Sequence, residues 1–374
     1  MTSEHAEPLK DSVRDFVTRG TDIARVRALR GSAHEYDRKV WKQMAELGWL
    51  GVAIPEEYGG MGLGMTEAAI VAEGLARALV PEPYTACAIL AAGALAGCDN
   101  AALKSEVLPG FVAGDKVLAL AWQESAGAID PVRIAAVATP FEGGFRLNGT
   151  KRYVAGAAGA DAYLVAARSD SGLMLACVDR TAAGVSLDLE PLADGRNFGT
   201  LELDDAVVPR ERVAATGAVA EAALGRALDH ATAIASAELY GVMSRALDMS
   251  VDYMKTRVQF GRAIGSFQAL QHRAVDLYVQ QQLASAVLED SLRELDADPA
   301  SERRQAIASR LKARCSDAGV RITREAIQIH GAIGFTDEYD AGLYLKRALV
   351  LAAWLGNGAQ HRRRYAGLAR KGGD

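Results

Sequence analysis

Acid–base chemistry needs a proton-accepting side chain held at a fixed place, and the segment ALDHATAIASAELYG offers three: Asp229, the adjacent His230, and Glu238. Helical periodicity puts Glu238 two turns beyond residue 231, on the same face and ~11 Å along the axis. In structural terms Glu238 reads as a buried, hydrogen-bonded carboxylate, and Asp229 and His230 as helix-surface or capping residues. A second segment, KRALVLAAWLGNG at residues 346–358, is an apolar helix running into Gly356-Asn357-Gly358, residue types that tolerate left-handed backbone and stop a helix. It has the look of an active-site helix without a carboxylate at its end.

Other chemistries find less support. The glycines of VAIPEEYGGMGLG, residues 52–64, have no strand-then-helix context, so they read as a turn joining two helices rather than a phosphate cradle. Cys87, Cys98, Cys177 and Cys315 lie far apart, with no CxxC pair and no histidine at ligand spacing, which disfavours a metal site or a disulfide scaffold. The run His361-Arg362-Arg363-Arg364 reads as a solvated helix end whose cations offset the negative end of the dipole. A net charge of -5 leaves no footprint for nucleic acid. The N-terminus MTSEHAEPLKDSVRDF is polar, unlike a signal peptide, and no apolar run approaches the ~18 residues of a membrane span, so a cytoplasmic location is expected.

These residues must be positioned by packed elements. A chain of 374 residues, half apolar and 24% charged, is expected to fold into two or three globular units. From Leu9 to about Gly114 apolar residues recur at three and four (Val40-Trp41, Met44, Leu47; Ala68, Ile70-Val71, Leu75), predicting amphipathic helices. Between Lys116 and about Val213 the pattern changes to short runs bounded by Gly, Asp, Asn and Ser: KVLALAW, AAVATP, GFRLNG, KRYVAG, AYLVAAR, LMLACV and GVSLDL. They predict antiparallel strands at sandwich or barrel spacing, with Gly143-Gly144 and Asn148-Gly149 as turns of consecutive hairpins. From Ala214 the helical period returns in three long runs, Ala218 to Thr256, Gln268 to Asp296 and Glu302 to His330, predicting a helical bundle. The expected architecture is α+β: a helical domain at 1–115, a β domain at 116–213 and a helical bundle at 214–374.

In YMKTRVQFGRAIGSFQALQHRAVD, residues 253–276, the residues Arg257, Phe260-Gly261 and Gln268 sit where one long helix should break and the next begin. Structurally, Arg257 could serve as a dipole partner at the helix end and Gly261 as a helix stop. Taken with AIQIHGAIGF at 326–335 and GWLGVAIPEEYGG at 48–60, the pattern R-x-x-F-G-x-x-I-G-x-F-Q resembles the acyl-CoA dehydrogenase family over essentially the whole chain. The resemblance implies an N-terminal helical domain, a middle β domain and a C-terminal four-helix bundle. It implies FAD as cofactor, an acyl-CoA thioester as substrate, α,β-desaturation, and reoxidation by an electron-transfer flavoprotein. Arg257 would contact the FAD pyrophosphate, where a guanidinium fork suits two phosphate oxygens, with Phe260 and Gln268 on the adenosine side. Gln328, Ile329, His330 and Gly331 match a loop whose backbone approaches the dinucleotide of a neighbouring subunit, implying a homo- or hetero-tetramer, or at least a dimer, with FAD at subunit interfaces.

The middle segment departs from the family. In Ala121-Trp122-Gln123-Glu124-Ser125-Ala126-Gly127 only Glu124 matches the Thr-Glu-Pro type of flavin loop. In Lys151-Arg152-Tyr153-Val154-Ala155 Tyr153 can pack on a ring, but Ala155 offers no hydroxyl. The two family positions of the catalytic glutamate fall, counting from Arg347 and from Gly241, on Gly356 and Ala231. Three readings follow: a subunit whose partner supplies the glutamate, a homo-oligomer with a displaced base among Asp229, His230 and Glu238, or a flavin- or acyl-CoA-binding relative without desaturase activity.

Overall fold

The computed structural model describes residues 5–20, 23–30, 32, 36–127, 129–131, 133–298 and 303–371. The chain divides into two compact units. One comprises Met1–Arg27, Ala69–Val80 and Thr232–Asp374, the other Ala28–Ala68 and Pro81–Ala231.

The second unit is built on an eight-stranded sheet: β1 Leu118–Ala121, β2 Val137–Phe141, β3 Gly144–Ala155, β4 Ala162–Ser169, β5 Gly172–Asp179, β6 Val185–Pro191, β7 Asn197–Pro209 and β8 Val213–Thr216. Strand order is β6-β7-β3-β2-β4-β5-β8, with β1 paired to β4. Its core is the inward row of small and branched residues, among them Leu147, Val154, Tyr163, Val165, Ala176, Leu201 and Val208.

Two expectations need correction. The sheet is mixed, because β1 and β2 both run parallel to β4. Asn148-Gly149 is no hairpin turn either: β3 continues through it, with a register shift against β7 between Leu147 and Gly149. Asn148 is held by Asp205, donating to its carboxylate at 2.8 Å and accepting from its N–H at 2.9 Å. At Gly149 a Cβ would meet Ala136 at 2.7 Å, so the glycine permits close strand approach at a bulge. The turn at the other signal is real, joining Phe141 to Gly144. Strand β7, the longest, has no counterpart among the runs read from sequence.

The same unit holds α3 Arg38–Glu46, a π-helix Thr85–Ala91, α5 Ala92–Ala96 and α6 Ala101–Val112. Asp37 and Asn100 cap α3 and α6 by accepting from Lys39 N and Leu103 N.

The first unit contains α1 Ala6–Gly20, α2 Ile23–Leu29 in part, and α4, where α4 spans Met65–Arg77 and enters the unit from Ala69. It also holds most of α7 Gly217–Thr256, and all of α8 Gln268–Ala297, α9 Arg304–His330, α10 Ala341–Ala353 and α11 Gly358–Lys371. The long helices match the apolar runs closely; Glu302, where the third run starts, lies outside the described residues. Glycine sets two close approaches: a Cβ at Gly241 of α7 would meet the Glu73 carbonyl of α4 at 2.4 Å, and one at Gly319 of α9 would meet Leu239 at 3.1 Å.

Candidate functional site

Helix α7 ends at Thr256, and the chain turns into a two-stranded ribbon, β9 Val258–Gln259 against β10 Arg262–Ala263. Phe260 and Gly261 both have positive φ, 51° and 79°, the requirement of a two-residue hairpin turn. Gly261 is therefore the second residue of a hairpin turn and not a helix stop. The turn holds Phe260 out with 91% of its surface exposed, its ring edge-on to Phe267 at 6.2 Å. The Arg262 guanidinium lies 4.1 Å from the Phe267 ring centroid. Arg257 and Gln268 are both exposed, and among the described residues the Arg257 side chain has no partner. Arg257, Phe260 and Gln268 are thus gathered on one exposed corner between α7 and α8.

The segment read as a loop at 328–331 is the last turn of α9. Gln328 faces out and Gly331 ends the helix with φ 63°. Ile329 and His330 are buried. His330 Nδ1 lies 2.7 Å from the Ala326 carbonyl, and its ring sits between Tyr253 and Tyr339 with centroids at 4.5 and 4.6 Å. Burial depresses its basicity. Only Gln328 and the Gly331 backbone remain available to a ligand here. Beyond them Phe335 is 82% exposed.

In the sheet unit, Glu124 accepts from Ala135 N at 2.6 Å, Ala136 N at 2.9 Å and the fully buried Lys151 Nζ at 2.5 Å. Desolvation works to raise its pKa, but the Lys151 ammonium and the two N–H groups outweigh it and hold the carboxyl below its ordinary value. Burial in turn lowers the Lys151 pKa. Tyr153 sits at a second irregularity of β3, with φ 58° and its half-buried ring edge-on to Phe198 at 6.2 Å.

The acid–base candidates resolve clearly. Ala231 is buried within α7 and Asp229 is buried beside it, not on a helix surface; His230 is half-buried. Glu238 accepts a hydrogen bond from Arg347 of α10, and both are buried.

At the end of α10, Leu355 and Gly356 both take left-handed φ, 58° and 98°. Asn357 is less a stop than a start: its carboxamide accepts from Gln360 N at 3.0 Å while Gln360 Oε1 accepts from Asn357 N at 2.8 Å, a reciprocal cap on α11. Beneath this link the buried Lys312 of α9 donates to the Leu351 carbonyl and, at 2.8 Å, to that of Trp354. Desolvation lowers its pKa to about 7. His361 is also buried, with Nε2 2.8 Å from the Leu355 carbonyl and Nδ1 3.2 Å from Ser309 Oγ. Residues 361–364 therefore lie in the N-terminal half of α11, where His361 is a packing residue and Arg362 is tied to Asp317. The dipole argument for this run fails because it sits at the wrong end of its helix.

An open groove of about 610 Å³ borders the link, lined by Arg321 and Arg324 of α9, Ala352 of α10 and Gly358 and Arg362 of α11, among others. Lys312 escaped the sequence reading, although its place among Ala308, Leu311 and Cys315 on the apolar stripe of α9 marked it as buried.

Residues 3–115 match the model of the acyl-CoA dehydrogenase N-terminal domain and residues 217–367 that of the C-terminal domain. Acyl-CoA dehydrogenase FadE27 of Mycobacterium tuberculosis is 31% identical, over 97% of this chain and 96% of the relative. Acyl-CoA dehydrogenase IpdE2 of Mycolicibacterium smegmatis is 32% identical, over 97% of this chain and 98% of the relative. Among solved structures, the steroid ACAD Tcur3481-Tcur3483 superposes with a TM-score of 0.89 at 30% identity, covering 100% of this chain and 99% of the other. The ChsE4-ChsE5 complex of Mycobacterium tuberculosis superposes with a TM-score of 0.90 at 28% identity, covering 99% and 98%. The chain belongs to the acyl-CoA dehydrogenase family, oxidoreductases that act on CH–CH donors with FAD.

The residues present fit that cofactor unevenly. The exposed, unpartnered Arg257, the projecting Phe260, and glycines 261 and 331, where a Cβ would meet nothing within 4 Å, leave an open cationic and aromatic surface suited to an adenosine diphosphate. Glu124 does not offer itself to a flavin ring, because its oxygens are already taken by Lys151 and two backbone N–H groups.

Proposed function

We propose that this chain is the base-lacking subunit of a hetero-oligomeric, FAD-dependent acyl-CoA dehydrogenase, with the paired subunit supplying the catalytic glutamate. One observation carries the reading: neither family base position holds an acid, and Glu238, a buried carboxylate on the same helix as Ala231, is committed to Arg347. The adenosine-side set of Arg257, Phe260, Gln268 and Gln328 remains exposed. Solved relatives that assemble from two different chains, Tcur3481-Tcur3483 and ChsE4-ChsE5, support the same organisation.

In this role Arg257 neutralises diphosphate charge and Phe260 covers the adenosine, while Gln328 and the Gly331 backbone offer hydrogen bonds beside it. FAD, held by this set of residues, would supply the hydride acceptor for α,β-desaturation, with an electron-transfer flavoprotein as the expected oxidant. The α-proton goes to the partner's carboxylate, since Gly356 and Ala231 accept none. A steroid-acting relative among the solved structures suggests a bulky acyl group as substrate.

The test is flavin bleaching on anaerobic addition of acyl-CoA thioesters to the chain purified alone and co-expressed with a glutamate-bearing relative. Bleaching only in the co-purified complex is expected. Bleaching by a homo-oligomer with stoichiometric FAD overturns the reading in favour of a displaced base. A protein that stays colourless and inert with every partner would favour a relative without desaturase activity.

A further inference from the structure

Tyr84 is 3% exposed, and its hydroxyl has no hydrogen-bond partner among the described residues. A phenol can rotate its proton to any acceptor in reach and can itself accept, so a buried one left unpaired is more telling than a fixed ring N–H. Such a group destabilises the fold unless something not part of the chain satisfies it. No charged neighbour perturbs Tyr84; burial alone pushes its pKa up.

Its position adds a second observation. Tyr84 immediately precedes the π-helix Thr85–Ala91, every residue of which is buried. Seven-residue π-helices are rare, and π-turns concentrate at functional sites. This one packs against β1, which leads into the segment Ala121–Gly127. Its Cys87 also lies where a Cβ on Gly156 would meet the sulfur at 2.7 Å, one residue beyond Lys151–Ala155. The π-helix is therefore wedged against both segments that the family resemblance turns toward the flavin ring. It contributes the small residues Ala86, Cys87, Ala88 and Ala91 together with Thr85, Ile89 and Leu90.

We infer that the Tyr84 hydroxyl is a recognition group for the acyl moiety, donating a hydrogen bond to a keto or hydroxyl oxygen carried beyond the thioester on an otherwise apolar group. The inference rests on the acyl-CoA reading above and adds to it the chemical character of the substrate. The phenol discriminates an oxygenated acyl group from its hydrocarbon counterpart, because an unpaired buried hydroxyl disfavours the latter.

The test uses Tyr84→Phe in the full-length chain, with hexanoyl-CoA and 5-oxohexanoyl-CoA as probes in titration calorimetry, alone and with a co-expressed partner. The wild type should prefer the 5-oxo thioester by roughly fivefold to tenfold, the worth of one hydrogen bond, and Tyr84→Phe should abolish the preference. The unliganded variant should melt at the same temperature or higher, because it has lost an unpaired polar group. A preference that survives the substitution, or a variant that melts lower or fails to fold, overturns the inference and makes the hydroxyl structural. If the wild type binds neither thioester in either form, the acyl-CoA reading itself falls, and this inference with it.

Discussion

Arg347, within the very helix that ends without a base, donates its hydrogen bond to Glu238 across the interior of the helical unit. The pair accounts for both residues as structure. Removing one partner of a buried ion pair strands the other charge, so Glu238→Gln should lower stability by ~3–5 kcal/mol in urea unfolding. A Glu238→Gln/Arg347→Met double variant should recover part of that loss. If Glu238→Gln instead leaves stability intact and abolishes flavin bleaching, Glu238 is the displaced base.

Glu124 and Lys151 predict the same coupling in the sheet unit. The folded carboxyl has a depressed pKa, so its contribution is present above the unfolded-state value of about 4.3 and is lost as pH falls through the folded one. Acid unfolding of the wild type should therefore steepen below about pH 4. Glu124→Gln should flatten that limb and lower neutral-pH stability by about 3 kcal/mol; an unchanged acid limb would count against the assignment.

His361 titrates in a different window. Its folded pKa is lowered to about 4 from 6.5 by burial, so between those values the unfolded state binds the extra proton and stability falls as pH drops. The slope should approach 1.4 kcal/mol per pH unit at most and vanish below about pH 4. His361→Gln should remove this component from melting curves recorded between pH 4 and 7, whereas a variant with the wild-type slope would refute it.

Phe260 and Arg257 should behave as ligand residues rather than core residues. Phe260→Ser is expected to change the unfolding free energy by less than about 0.5 kcal/mol, since the ring is almost wholly exposed. Arg257→Ala should weaken FAD retention roughly tenfold or more, the scale of a charge-assisted hydrogen bond, as read by equilibrium dialysis. A large loss of stability in Phe260→Ser would place the ring in a core instead.

Returning a carboxylate to Gly356 should be costly. With φ at 98°, any side chain there is strained, and Gly356→Glu should lose on the order of 1–3 kcal/mol in thermal unfolding. Gly356→Ala should lose a similar amount, which separates backbone strain from the effect of charge.

The long helices were legible because the 3.6-residue period persists over 27 to 40 residues, and their ends differ from those of the apolar runs by a residue or two. The exposed corner was legible through the spacing of Arg257, Phe260 and Gln268. Asn148-Gly149 misled because the same dipeptide serves a two-residue turn and a bulge, and only the pairing with β7 decides between them. Strand β7 escaped because its outer row, Glu202, Asp204 and Asp205, is charged and interrupts any apolar run. His361 escaped because three arginines beside it gave the segment a solvated look, while its burial depends on Ser309 and Leu355 from elsewhere in the chain.

The reciprocal cap between Asn357 and Gln360, with Lys312 closing the carbonyls behind it, secures the α10–α11 link without a carboxylate. Anchorage and catalysis are consequently separable at this point in the chain. On the reading proposed above, the acid can therefore be absent while the shape of this link is kept.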